Sequence, residues 1–195
     1  MANERRRAQL LEAYERNQPA LTIELARQYL ATEPDDRSAL LVFGEALTEV
    51  ARYAEARAAL ERALALSQSD ERLSALRLLG RLSDAQGRIG EAEEYYRAVI
   101  AAAPDHASAY VYLGAMLARA GRLEEAEQAH RQGIGCKDGA IGESYFNLAL
   151  VQRARGDYVG ALGSLRSALA LDPEDSASQD ALLDVEAVLF KFPAG

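Results

Sequence analysis

Apolar residues along this chain recur at steps of three and four, and short polar or glycine-bearing stretches interrupt them at near-regular intervals. Tyr110, Leu113 and Leu117 make one such stripe, and Leu123, Ala126, His130 and Ile134 make another, with Gly121 between them. That spacing puts the apolar side chains on one face of an α-helix. Gly121 ends the first helix, because glycine enters the left-handed cap conformation without a side-chain clash. The small Ala126 lets the second helix approach the first closely. Residues 107–141 therefore predict a helical hairpin.

The hairpin is written more than once. Upstream, Leu79-Gly80, Gly87, Ala92, Tyr96 and Pro104 take the places of Leu113-Gly114, Gly121, Ala126, His130 and Asp138. Downstream, Leu148-Ala149, Gly156, Ala161, Leu165 and Pro173 do the same. The steps are 34 residues from Gly87 to Gly121 and 35 from Gly121 to Gly156, a period that marks one supersecondary unit copied in tandem. The pattern resembles the tetratricopeptide repeat family, whose signature is W-x2-L-G-x2-Y, then A-x3-F, then P. Tyr110 or Tyr145 stands for the Trp, Leu113-Gly114 and Ala126 match, and Pro104 and Pro173 match the closing Pro. The resemblance implies an all-α fold: a single α-solenoid domain over residues 1–195, a right-handed superhelix of antiparallel helix pairs.

About five units and a closing helix are expected. Residues 3–36 form a degenerate first unit, with Leu10, Leu11 and Tyr14, a break at Asn17-Gln18-Pro19, and then Leu21, Leu25, Tyr29 and Leu30. Its Leu-Gly pair is missing, as suits a terminal repeat. Residues 37–72 form a second unit, whose turn carries Ala51-Arg52-Tyr53 where the others carry glycine. Residues 73–106, 107–141 and 142–175 are the third to fifth units, and 176–191 is one closing helix. Asp105, and Glu174-Asp175-Ser176, supply side chains that accept from unpaired amides at a helix start.

Composition removes several classes of function. A net charge of −8 argues against nucleic acid as a partner, since phosphate binding needs a basic footprint. No stretch approaches the ~20 apolar residues of a membrane span, and MANERRRAQL lacks the apolar run of a signal peptide. One cysteine, Cys136, makes no internal disulfide. The chain reads as soluble and cytoplasmic. No Ser-His-Asp order, metal-ligand spacing or phosphate loop presents itself, and no cofactor or metal is expected. GIGCKDGAIG follows no predicted strand, which defeats a P-loop reading. His130 reads as a packed, hydrogen-bonded core residue. The chain is not expected to be an enzyme.

Function then rests on surface. The resemblance implies that the first helices of successive units line a concave groove holding a peptide or partner helix. Carried over place by place, the groove residues are Arg77, Arg81, Val111, Tyr112, Arg119, Phe146, Asn147, Leu150 and Arg153. The four arginines suit carboxylates of an acidic or amphipathic segment, because a guanidinium bonds a carboxylate at two points. The competing reading pairs each Arg with a nearby carboxylate of its own chain, in a sequence holding 20 arginines and two lysines. The family's clamp for a chaperone tail finds only Asn147 in place, with Glu143 where a basic residue belongs. A scaffold or adaptor is the first reading. The alternative is a self-associating subunit. Leu182, Val185 and Leu189 supply the inward stripe of the closing helix, which leaves Leu183, Val188, Phe190 and Phe192 to meet a continuation of the chain or a second copy in a homodimer.

Overall fold

The computed structural model describes residues 2–67, 69–137 and 139–192, and among them the regular structure is entirely α-helical. Five antiparallel pairs and one last helix follow in order: α1 (Ala2–Glu15) with α2 (Pro19–Leu30), α3 (Arg37–Glu49) with α4 (Tyr53–Leu66), α5 (Ser69–Ala85) with α6 (Ile89–Ala102), α7 (Ala107–Arg119) with α8 (Leu123–Ile134), α9 (Ile141–Ala154) with α10 (Tyr158–Leu171), then α11 (Ser176–Lys191). The helices cluster into two compact units, Met1–Ala98 and Val99–Gly195, whose boundary falls within α6.

One turn is built five times. Asn17, Ala51, Gly87, Gly121 and Gly156 each have positive φ, from 53° at Asn17 to 82° at Gly156. In every case the following amide reaches back five residues: Gln18 to Ala13, Arg52 to Leu47, Arg88 to Ser83, Arg122 to Leu117, Asp157 to Gln152, at 2.8–3.1 Å. This is the Schellman closure, which satisfies carbonyls left over at a helix end. The end of the second unit's first helix, blurred in sequence by a missing glycine, is thus the same turn with an alanine forced into it.

One crossing is also built five times. A β-carbon added to Gly44 would lie 2.5 Å from Leu60 Cδ2, one on Gly80 2.6 Å from Tyr96 Cε1, and one on Gly114 2.5 Å from His130 Cε1. A first helix supplies the absent side chain and its partner supplies the large one. In the fifth pair Ala149 and Leu165 hold these places in one core cluster. In the first pair the sizes are exchanged, with Leu10 on α1 and Ala26 on α2, both fully buried in one cluster. The missing Leu-Gly signature of the first unit is therefore an inversion that conserves volume, the kind of exchange close-packed cores accept.

In unit 1, Asp36 ties three helices. It caps α3 by accepting from Ala39 N at 3.0 Å, and it also accepts from Tyr29 Oη at 2.8 Å and Arg7 Nε at 3.1 Å. Burial pushes its carboxyl up, but those three donors hold it below the usual carboxylate range. Arg57 on α4 grips both oxygens of Glu91 on α6, at 2.7 and 3.0 Å.

In unit 2, α11 seals the α9–α10 pair through Ala181 and Val185, which join Ala149, Ala161 and Leu165. Asp175 caps it, accepting from Ala177 and Ser178. Asp105 does not cap α7 as the sequence suggests. His106 holds the cap position with no side-chain bond, while Asp105 pairs with Lys137 at 2.7 Å. Gly133 on α8 has a packing duty: a β-carbon there would meet Ser144 Oγ at 2.6 Å.

Two expectations follow from the turn and the crossing. Ala51→Gly relieves an L-residue held at φ 58° and should stabilise the chain by about 1 kcal/mol in urea unfolding. Gly114→Leu should cost about 1–3 kcal/mol or more through overpacking against His130. Adding His130→Ala, which recreates the Leu10–Ala26 arrangement, should recover most of that loss; no recovery would refute the volume-exchange account.

Candidate functional site

The first helices α1, α3 and α5 of unit 1 pack side by side. Their shared face carries a polar cluster around Glu45, only 9% exposed. Glu45 accepts from the Tyr14 hydroxyl at 2.6 Å and bonds the Arg81 guanidinium. Burial, the bond to Glu45 and its negative charge push the Tyr14 phenol up to about 12, while Arg77 and Arg81 pull the other way. Both guanidiniums therefore lie within electrostatic reach of the cluster. Arg81 is thus half-buried and engaged by its own chain, as the competing reading of the arginines holds.

In unit 2 the corresponding face belongs to α7, α9 and α11. Val111 is buried at 3% and offers nothing to solvent. Tyr112, Asn147 and Leu150 are half-buried, and Phe146 is half-buried against the core cluster of Ala149 and Leu165. Arg119 and Arg153 are exposed. Arg153 lies 3.8 Å from Asp184 on α11. Leu150, Arg153, Ala154, Tyr158, Asp184, Ala187 and Val188 line a cleft of about 630 Å³ on this face. Val188, which the sequence left with nowhere to go, is half-buried here, because it lies round the helix from the outermost stripe. Leu183, Phe190 and Phe192 are exposed at 65%, 92% and 67%.

Other arginines stitch neighbouring helices. Arg27 meets Glu55 at 2.7 Å, Arg62 meets Asp35 at 2.7 Å, and Arg155 meets Glu124 at 3.4 Å and bonds Glu127. Sequence reasoning placed Arg81 in the groove but missed the link of Glu45 to Tyr14 and Arg81. The signal was there: Glu45 and Arg81 occupy the same place in successive units, 36 residues apart, with opposite charges.

His130 is fully buried as expected, but neither ring nitrogen has a hydrogen-bond partner among the described residues. The expected hydrogen bond is absent because the ring lies against Gly114, where it fills volume. Among the described residues no group of three His, Cys, Asp or Glu could hold a metal ion, and no helix is long and apolar enough to cross a membrane.

Helical hairpins of this length, turn and crossing define a class of repeat protein. Tetratricopeptide repeat models match residues 77–141 and 144–177, together half of the chain. The chain belongs to the tetratricopeptide repeat family. Among solved structures it is similar to TTC0263, a thermophilic protein of this class from Thermus thermophilus, at 18% identity and TM-score 0.75, covering 96% of this chain and 99% of that one. It is similar to PilW, a widely conserved type IV pilus biogenesis factor, at 22% identity and TM-score 0.77, covering 92% and 82%. YrrB, described as having an unusual peptide-binding site, aligns at 17% identity and TM-score 0.59, covering 88% and 87%. No curated protein sequence is significantly similar to this chain. These neighbours share the fold, and membership of the family supports a protein-interaction scaffold.

Burial depresses His130 to about 4, below an ordinary value of 6.5. The folded state thus resists the proton that the unfolded chain accepts. The contribution of His130 to stability is flat above pH 6.5 and falls as pH drops toward 4, by about 3 kcal/mol at 1.36 kcal/mol per unit. His130→Phe should remove that part of the acid sensitivity; an unchanged pH profile in urea unfolding would contradict it.

Proposed function

We propose that the chain is a non-enzymatic scaffold whose first-helix faces bind an acidic or amphipathic segment of another protein. The supporting observation is made in each unit of this acidic chain separately: Arg77 and Arg81 lie on a first helix of unit 1, and in unit 2 Arg119 and Arg153 lie on first helices that also carry the half-buried apolar side chains of Tyr112, Phe146 and Leu150. In this reading Arg77, Arg119 and Arg153 exchange their contacts within the chain for ligand carboxylates, while Arg81 and the Tyr14 hydroxyl stay on Glu45. Asn147 adds a donor and acceptor among the apolar groups. YrrB, with its peptide-binding site, lends the reading support by fold alone.

A second reading, self-association through α11, is favoured by the exposure of Leu183, Phe190 and Phe192 on the last helix. Large apolar side chains left together in water mark a surface that meets another molecule.

Selection of a random displayed peptide library on the immobilised chain should return sequences rich in Asp, Glu and apolar residues. Arg77→Glu in unit 1, or Arg119→Glu with Arg153→Glu in unit 2, should weaken the selected peptides tenfold or more, and added salt should weaken them further. Arg5→Glu with Arg6→Glu should have little effect. Equal losses from both sets would reduce the attraction to net charge and overturn the peptide-gripping reading.

A further inference from the structure

The repeat register continues into α11. Ser144 and Ser178, Leu148 and Leu182, and Val151 and Val185 hold the same places 34 residues apart; all are buried except Leu182, which packs half-buried against the α9–α10 core cluster. By that register Leu183 stands where Gly44, Gly80, Gly114 and Ala149 stand, the place at which a first helix meets its partner. In the described residues no second helix follows α11, and Leu183 is 65% exposed. Phe190 occupies the place of Gly156, yet the helix runs on through it and leaves its ring 92% exposed. Leu183, Ala187 and Phe190 form one outward stripe on α11, with Asp180 toward one end and Lys191 at the other.

The first hairpin shows what a large residue at this place requires. Leu10 is fully buried because a small residue, Ala26, is opposite. A helix covering Leu183 must likewise offer a small residue at the crossing. The outward stripe of α11 contains one, Ala187, a single turn away from Leu183.

We propose that the α11 stripe is covered by α11 of a second copy, running antiparallel about a two-fold axis level with Val185. This rests on the self-association reading and gives it a geometry. An axis at that level sets Leu183 of each copy against Ala187 of the other, so large meets small twice, as α1 meets α2. Phe190 of each copy then covers the level of Asp180, and Lys191 comes beside Gln179 and Asp180, an opposite-charge pairing at both ends. Asp184 and Glu186 meet near the axis. Each carries its own counterion, Arg153 at 3.8 Å and Arg166 at 3.2 Å, so their mutual repulsion is reduced. A parallel pair would instead set Leu183 on Leu183 and Lys191 on Lys191. The interface is isologous and closes on itself, so assembly stops at two. Ala187 borders both this interface and the cleft, and Val188, half-buried in the cleft, lies outside the interface.

The test uses size exchange on exposed positions of the full chain, read by sedimentation equilibrium over a concentration series, with circular dichroism to verify unchanged helicity. The unaltered chain should dimerise. Ala187→Leu, which sets Leu against Leu, should weaken the dimer tenfold or more. Leu183→Ala with Ala187→Leu should restore it, because the small and large places have merely changed ends. Lys191→Asp should weaken the dimer, and Asp180→Lys with Lys191→Asp should recover it. A dimer indifferent to Ala187→Leu, or one lost without recovery in the exchanged variant, overturns this geometry and leaves self-association standing. An unaltered chain that stays monomeric throughout overturns both.

Discussion

Each hairpin depends on one steric constraint, the sum of two side chains where its helices cross. Interiors pack at nearly fixed density, so a crossing tolerates one large residue and one very small one, not two large or two small. Gly44 with Leu60, Gly80 with Tyr96, Gly114 with His130, Ala149 with Leu165 and Leu10 with Ala26 all obey that sum. The Schellman turns set the entry angle of the second helix, and the crossing decides how near it comes. Everything that reaches solvent on the first-helix faces is positioned by these two features together.

Electrostatics follows from that framework. The hairpins bring first helices alongside one another, so equivalent places in successive units become neighbours. Glu45 and Arg81 pair for this reason, and Tyr14 completes the acid's bonding from the helix on the other side. Arg37 at the start of α3 also reaches α5, meeting Glu71 at 2.8 Å, two residues out of that register. An arginine on a face that resembles a binding groove is therefore also available to its own chain, and Arg81 is taken that way. His130 is the opposite case: a polar ring used for its volume, at the expense of its charged form.

The helices were legible in the sequence because apolar periodicity, turn residues and repeat length all point to one fold. Ala51 and Leu10 were harder, since each breaks the local signature and makes sense only beside a structural neighbour: a backbone that imposes positive φ, and Ala26 on the facing helix. Asp105 was misread because an acidic residue after a proline has two outlets, and the nearby Lys137 provided the other. The candidate surface was legible as a set of places on the first helices. Which of its members reach solvent was not, because Val111 and Tyr112 are adjacent in sequence but differ in how far they turn from the core.

The reversed crossing of the first hairpin also bears on how such a gene can be rearranged. A recombination joint placed inside a turn would couple α1 to the second helix of another unit, setting Leu10 against Leu60, Tyr96 or Leu165. The reciprocal product would leave Gly or Ala facing Ala26 across a void. A joint placed between hairpins disturbs neither sum. Size matching at a single contact thus makes the intact hairpin the smallest block of this chain that duplication or shuffling can move without loss of fold.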